Sequence, residues 1–151
     1  IMLIEYFKIT AQIVIALSIY NVWFLRFSKP TKYRGKNAKS MKDEFLSYGL
    51  TGNFVWIIGV LKVTLATFLL VGIIYNEFIF PAAAGMAILM AGAISMHIKV
   101  KDEMIKSLPA AIFLVLSLSI ALLWNHLLIN ANNVKSRNPM RPIIQKILLW
   151  L

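Results

Sequence analysis

Residues 51–75 read TGNFVWIIGVLKVTLATFLLVGIIY. As a helix rising 1.5 Å per residue, this stretch is long enough to cross a hydrocarbon core of about 30 Å. It shows no polar face, and its only charge is Lys62. A helix that is apolar all round belongs in lipid or deep inside a large protein. With 151 residues, 60% of them hydrophobic, the chain is too small to hide such surface in a soluble core. The stretch therefore reads as a transmembrane helix.

Working outward, three more spans follow the same logic. The first runs from about Met2 to Phe27, with no charge between Ile9 and Leu25. Glu5 and Lys8, three apart near its start, are placed to pair on one helix face. It lacks a basic leader and a small-residue cleavage site, so it reads as a span rather than a signal peptide. After a tight turn at Asn76–Glu77, a third span covers about 78–97, with Pro81 in its first turn, where proline is tolerated. A polar loop, His97–Ser107, precedes a fourth span over about 108–129, with Pro109 marking its first turn. The expected fold is all-α, a four-helix transmembrane bundle over 1–130. A basic, amphipathic tail, 131–151, is expected on the membrane surface or against a partner chain.

Between the first two spans lies a polar segment rich in cations. Pro30 and Gly35 argue against helix in its first half. In its second half Ser40 and Asp43 fit a capping box, and Met41, Phe45 and Tyr48 recur at i, i+4 and i+7. This predicts a short amphipathic helix, lying in the interface or folding back into the bundle mouth. The spans also carry small residues at helical spacing: Gly52, Gly59 and Ala66 in the second, and Gly85, Gly92, Ala87, Ala91 and Ser95 in the third. That spacing predicts close packing of these two helices.

The net charge of +10 suggests nucleic acid in a soluble protein. Here the cations cluster between apolar spans, where anionic lipid and membrane orientation account for them, and no nucleic-acid partner is expected. Loops one and three hold ten Lys and Arg against five on the other side. The positive-inside rule then places those loops in the cytoplasm, on the inner side of the cytoplasmic (inner) membrane.

The chain has no cysteine, which excludes disulfides, thiolate nucleophiles and thiolate metal ligands, and with two histidines no metal site is expected. No Walker loop, dinucleotide fingerprint or HExxH appears. Lys62 is the most informative residue. A lysine at helix centre costs roughly 2.5–3.5 kcal/mol on insertion scales. Such a residue faces a bundle interior and takes a partner, or it snorkels to the interface; its depth favours the interior. Topology brings the start of the second span and the end of the third to one side. Asp43, Glu44, Tyr48, Lys62, His97, Asp102 and Glu103 are therefore expected at one mouth of the bundle. Glu44 is the first choice of partner for Lys62 and His97 the second. His97 also suits proton transfer near neutrality. Tyr20, Asn21 and His126 read as hydrogen-bonding residues between helices.

Several stretches carry a family resemblance: Lys29-Pro-Thr-Lys-Tyr-Arg-Gly35, Ala38-Lys-Ser-Met41, Glu44-Phe45, Tyr48-Gly-Leu50, Gly59-Val-Leu-Lys62, Phe80-Pro81 through Met96-His97, and Lys101-Asp102. With the four-span layout, they make the chain resemble the DoxX-like family of small bacterial membrane proteins over roughly residues 1–122. The first span lacks the glycine-rich pattern followed by Lys-Leu of many relatives. The resemblance maps the family's second-span lysine to Lys62 and its amphipathic-helix glutamate to Glu44. It implies similarity to subunits of quinone-linked oxidation systems, to membrane components of complexes handling oxidative stress, or to assembly factors.

The expected function is thus an accessory subunit of a membrane redox system rather than an enzyme on its own. It would bind a quinone or lipid head group through Lys62, Glu44, His97, Tyr48 and Arg34, and dock a redox partner through its basic loop. An assembly factor and a small-solute transporter working as a homodimer are the alternatives.

Overall fold

The computed structural model describes residues 2–137, and of 134–137 the backbone alone. Among the described residues every regular element is a helix and there is no strand. The order is α1 (Met2–Tyr20), α2 (Met41–Ser47), α3 (Gly52–Val71), α4 (Ile79–Lys99) and α5 (Met104–Arg137). A π-helical turn, Asn21–Leu25, continues α1, and single 3₁₀ turns occupy Gly35–Asn37 and Asn76–Phe78. Four helices are long and apolar enough to cross a membrane: Met2–Leu25, Gly52–Val71, Asn76–Lys99 and Met104–Asn133. Their outer faces fit that solvent. Val60, Ile88 and Leu122 sit mid-helix with 66%, 71% and 68% of their surface exposed. In water such a belt would drive aggregation, whereas in lipid it is at home.

The inward faces are built from the helical repeat. On α1 the buried residues are Lys8, Ala11, Gln12, Ile15, Ala16 and Ile19, one stripe at three- and four-residue spacing. They meet Val55, Ala66 and Leu69 of α3, Ala82, Ala83, Met86 and Met90 of α4, and Ile120 and Ala121 of α5 in one core. Two polar bonds tie α1 to α3, one inside this core and one at its exposed edge. Gln12 donates its amide to the Leu69 carbonyl at 2.9 Å. Thr67 spends its hydroxyl proton on the Val63 carbonyl, so Tyr20 donates to the Thr67 oxygen at 2.8 Å. Glu5 and Lys8 pair at 2.8 Å, as their spacing predicts, with the buried ammonium over the Trp124 ring.

The small residues divide their work differently from expectation. Gly85 does receive Leu65 of α3, as predicted. Gly59 instead lies under the Trp23 ring of the first span, where a Cβ would collide with the indole. Ala91 and Ser95 point outward, and Gly92 faces open space. Spacing alone reveals a smooth helix face but not which neighbour uses it. His126 likewise bonds Asn130 one turn along its own helix rather than another helix.

The fourth span also starts earlier than predicted. α5 begins at Met104, so Pro109 stands in its second turn. It runs on to Arg137 because residues 130–137 hold neither glycine nor proline. The expected interfacial behaviour of the tail beyond Arg137 lies outside the described residues.

Candidate functional site

The amphipathic helix folds back onto the bundle. Ser40 accepts from the Asp43 N–H at 3.1 Å, the N-cap its sequence predicts. Met41, Glu44, Phe45 and Tyr48 are buried along one face of α2. Glu44 is thereby tucked inward, as expected, but its ion-pair partner is Arg34, at 3.0 Å, and not Lys62. Arg34 comes from the irregular half of loop one. Its guanidinium uses every donor it has: Nε to the Lys29 carbonyl at 3.0 Å, Nη2 to the Arg26 and Phe27 carbonyls at 2.6 and 3.2 Å, and Nη1 to Glu44 Oε2 and Met41 Sδ. The Arg26 and Phe27 carbonyls lie just past the end of the first helix, whose C-terminus carries a partial negative charge, and each also accepts one backbone N–H, from Lys29 and Met41. Arg34 answers that charge and adds a donor to both carbonyls. A second cation near Glu44 is displaced by this geometry, because a fork reads carboxylate and carbonyls together where an ammonium does not.

The other Glu44 oxygen, Oε1, accepts from the Gly35 N–H at 2.6 Å and the Tyr48 hydroxyl at 2.9 Å. Burial pushes the Tyr48 phenol far above its usual range, and the Glu44 charge and its hydrogen bond push it further. Tyr48 is therefore a fixed donor, never a base. Its hydroxyl lies 3.3 Å from His97 Nδ1, with the two rings edge to face at 79°. His97 closes α4 and donates Nδ1–H to Asp102 Oδ2 at 2.9 Å, leaving Nε2 as the ring's proton-accepting nitrogen. Asp102 Oδ1 accepts from the Lys36 backbone N–H at 2.9 Å and lies 3.7 Å from the Lys106 ammonium, which itself donates to Asn37. Loops one and three are thus clasped together over the bundle mouth.

Burial works against charge on Asp102, but the Lys36 N–H, the His97 ring and Lys106 outweigh it and hold the carboxyl below the usual carboxylate range. A depressed folded pKa means that the clasp is strongest above the unfolded value of about 3.9 and is lost as pH falls through the folded value. Acidifying the protein through the folded value is expected to lower the protection of the Lys36 amide, its exchange rate being taken relative to that of an unstructured peptide at the same pH. Asp102→Asn is expected to protect the Lys36 amide less at neutral pH, and that protection is expected to change little on acidification. Equal pH slopes in the two proteins would refute the assignment.

Beneath the clasp lies a cavity of about 600 Å³, walled by all four spans. Arg34, Glu44, Tyr48 and His97 line its mouth. Ile19, Trp23, Ile58, Leu89, Met90 and Phe113 are among its apolar walls, and Lys62 reaches into it from mid-helix. Ten residues below the start of α3, Lys62 is about 15 Å deep. Its ammonium has no hydrogen-bond or ion-pair partner among the described residues. Four predicted mouth residues, Glu44, Tyr48, His97 and Asp102, form one network, and Lys62 shares their cavity. Asp43 and Glu103 are exposed and stand outside it. Sequence reasoning missed Gly35, Lys36, Asn37 and Lys106 as parts of the clasp. It also missed the π-turn at Asn21–Leu25, which puts Asn21, Val22 and Trp23 in the cavity wall.

These features define a class: a small multi-pass helical membrane protein with a polar, hydrogen-bonded mouth over an apolar intramembrane cavity. The family model for the DoxX-like family matches residues 13–120, and the chain belongs to that family. No curated protein and no solved structure matches it.

Proposed function

We propose that this protein is an accessory subunit of a quinone-linked membrane redox system, and that its cavity binds a quinone or lipid head group. The observation that carries the reading is the cavity itself, with apolar walls, one unpaired ammonium and a polar chain leading out of it. Its volume suits a small-molecule pocket, which typically measures about 300–1,000 Å³. A quinone supplies reversible electron and proton chemistry when bound. The residues present fit such a group, because Lys62 offers free N–H donors to a ring oxygen among apolar walls. The chain's own residues would then bind, orient and exclude water. Lys62 holds the head, Trp23 and Phe113 flank the body, and the Glu44–Tyr48–His97–Asp102 chain connects the mouth with the aqueous loops. Tyr48 keeps its proton and holds Glu44 and His97 in register, and His97 Nε2 is the group free to take a proton. With no cysteine in the chain, electrons are exchanged with a partner. The basic loops, on the cytoplasmic side by the positive-inside rule, form the docking face.

Native mass spectrometry of the protein extracted gently from its own membrane tests the reading. A retained small molecule of quinone or lipid mass, lost in Lys62→Met, is the expected result. A stoichiometric protein partner with no small molecule would overturn it in favour of an assembly factor.

A further inference from the structure

The six acidic residues of the chain are all accounted for, and none is left for Lys62. Glu44 is engaged by Arg34, Gly35 and Tyr48. Asp102 is taken by His97, Lys36 and Lys106. Glu5 pairs with Lys8. Glu77 lies in the turn between α3 and α4, at the far end of the bundle, and Asp43 and Glu103 are exposed outside the cavity. A cation inside a membrane bundle ordinarily has a counter-charge. Among the described residues no carboxylate touches Lys62; Glu44, committed to Arg34, acts on it only at a distance.

The cavity also has a side opening. α3 and α4 pack closely at their turn end, through Gly72 against Ile79, Phe68 against Phe78 and Gly85 against Leu65. Nearer the mouth the surface of α4 is open at two positions. A Cβ on Gly92 would meet nothing within 4 Å, and Ile88, 71% exposed, lines the same cavity. The cavity is thus open beside Ile88, level with Lys62, and beside Gly92 one turn nearer the mouth.

We propose that the ligand of this cavity is an anionic amphiphile, a carboxylate or phosphate head on a single apolar body, with Lys62 as its counter-charge and its apolar part running out between α3 and α4 past Gly92. This rests on the reading of the cavity as a ligand site and adds the charge of the head and the route of entry. A neutral head leaves Lys62 unpaired, whereas an anionic one completes the charge balance without disturbing the Arg34–Glu44 pair.

The full-length protein in a non-ionic detergent is titrated with four probes, and occupancy is read by native mass spectrometry. The probes are palmitate, oleoyl lysophosphatidate, hexadecanol and a decyl-substituted benzoquinone. Palmitate or lysophosphatidate is expected to bind, and whichever binds better identifies the head group. Hydrogen bonds to charged groups imply that Lys62→Met binds that probe roughly ten- to a hundredfold more weakly. Lys62→Arg is expected to retain binding, and Gly92→Phe, which fills the gap without touching Lys62, to lose it while eluting as native protein. Hexadecanol or the benzoquinone binding as well as palmitate, or Lys62→Met matching the native chain, overturns the charge assignment while leaving the cavity a ligand site. If none of the four probes binds, both readings fall.

Discussion

Glu44→Ala is expected to destabilise the protein by about 3–5 kcal/mol, the usual cost of leaving one member of a buried ion pair behind. Arg34 and Glu44 have 4% and 10% of their side-chain surface exposed, so solvent does little to screen the orphaned guanidinium. The loss extends beyond the pair, because the Gly35 N–H and the Tyr48 hydroxyl lose their acceptor in the same stroke. Titration with sodium dodecyl sulfate, followed by tryptophan fluorescence, measures it. Arg34→Met combined with Glu44→Leu is expected to recover only the part due to the orphaned guanidinium, since the Gly35 N–H and the Tyr48 hydroxyl still lack their acceptor. A single Glu44→Ala variant within about 1 kcal/mol of the native protein would mean that the pair is not held as described.

Gly35→Val is the second large effect. A Cβ at this position would lie 2.5 Å from the Tyr48 hydroxyl oxygen, 2.7 Å from its ring and 2.8 Å from Asp102 Oδ2. All three are nearer than real Cβ atoms come, and the neighbours have nowhere to go without breaking bonds to Glu44 or His97. Overpacking costs about 1–3 kcal/mol, and each charge-assisted hydrogen bond lost adds about 1.5–3 kcal/mol. We expect at least about 3 kcal/mol in the same titration. We also expect faster amide exchange at Lys36 and weaker ligand retention. Gly49→Ala is a useful contrast. That glycine has a positive φ of 80° but open space around it, so strain there stays local. Near-equal effects at the two glycines would argue against close packing at Gly35.

What the sequence made legible follows from the physics of each feature. The spans were readable because lipid demands long apolar runs, and nothing else in a chain of this size explains them. The gathering of Tyr48, His97 and Asp102 was readable from topology alone, since the ends of consecutive antiparallel helices meet. The buried face of α2 was readable from the spacing of Met41, Phe45 and Tyr48. The choice of Arg34 as the partner of Glu44 was not. Loop one offers many cations with no periodicity to rank them, and only the coincidence of a helix end with a carboxylate selects the guanidinium. The π-turn at Asn21 was hidden for a related reason, as an apolar run keeps its character when one turn widens. The stripe of small residues on α4 was over-read. Glycine permits close approach on whichever side a neighbour exists, and Gly92 has none.

The clasp between loops one and three has a consequence for biogenesis. Lys36 and Asp102, whose bond closes the mouth, are 66 residues apart. While the chain is being made, the first span, its basic loop and α2 enter the membrane before Asp102 has been synthesised. Loop one must therefore wait, with its cations in place but its keystone missing, until the third span has returned to the same side. A chain inserted with the wrong number of crossings strands Asp102 on the opposite face and never closes. The mouth can thus be completed only by a correctly threaded chain.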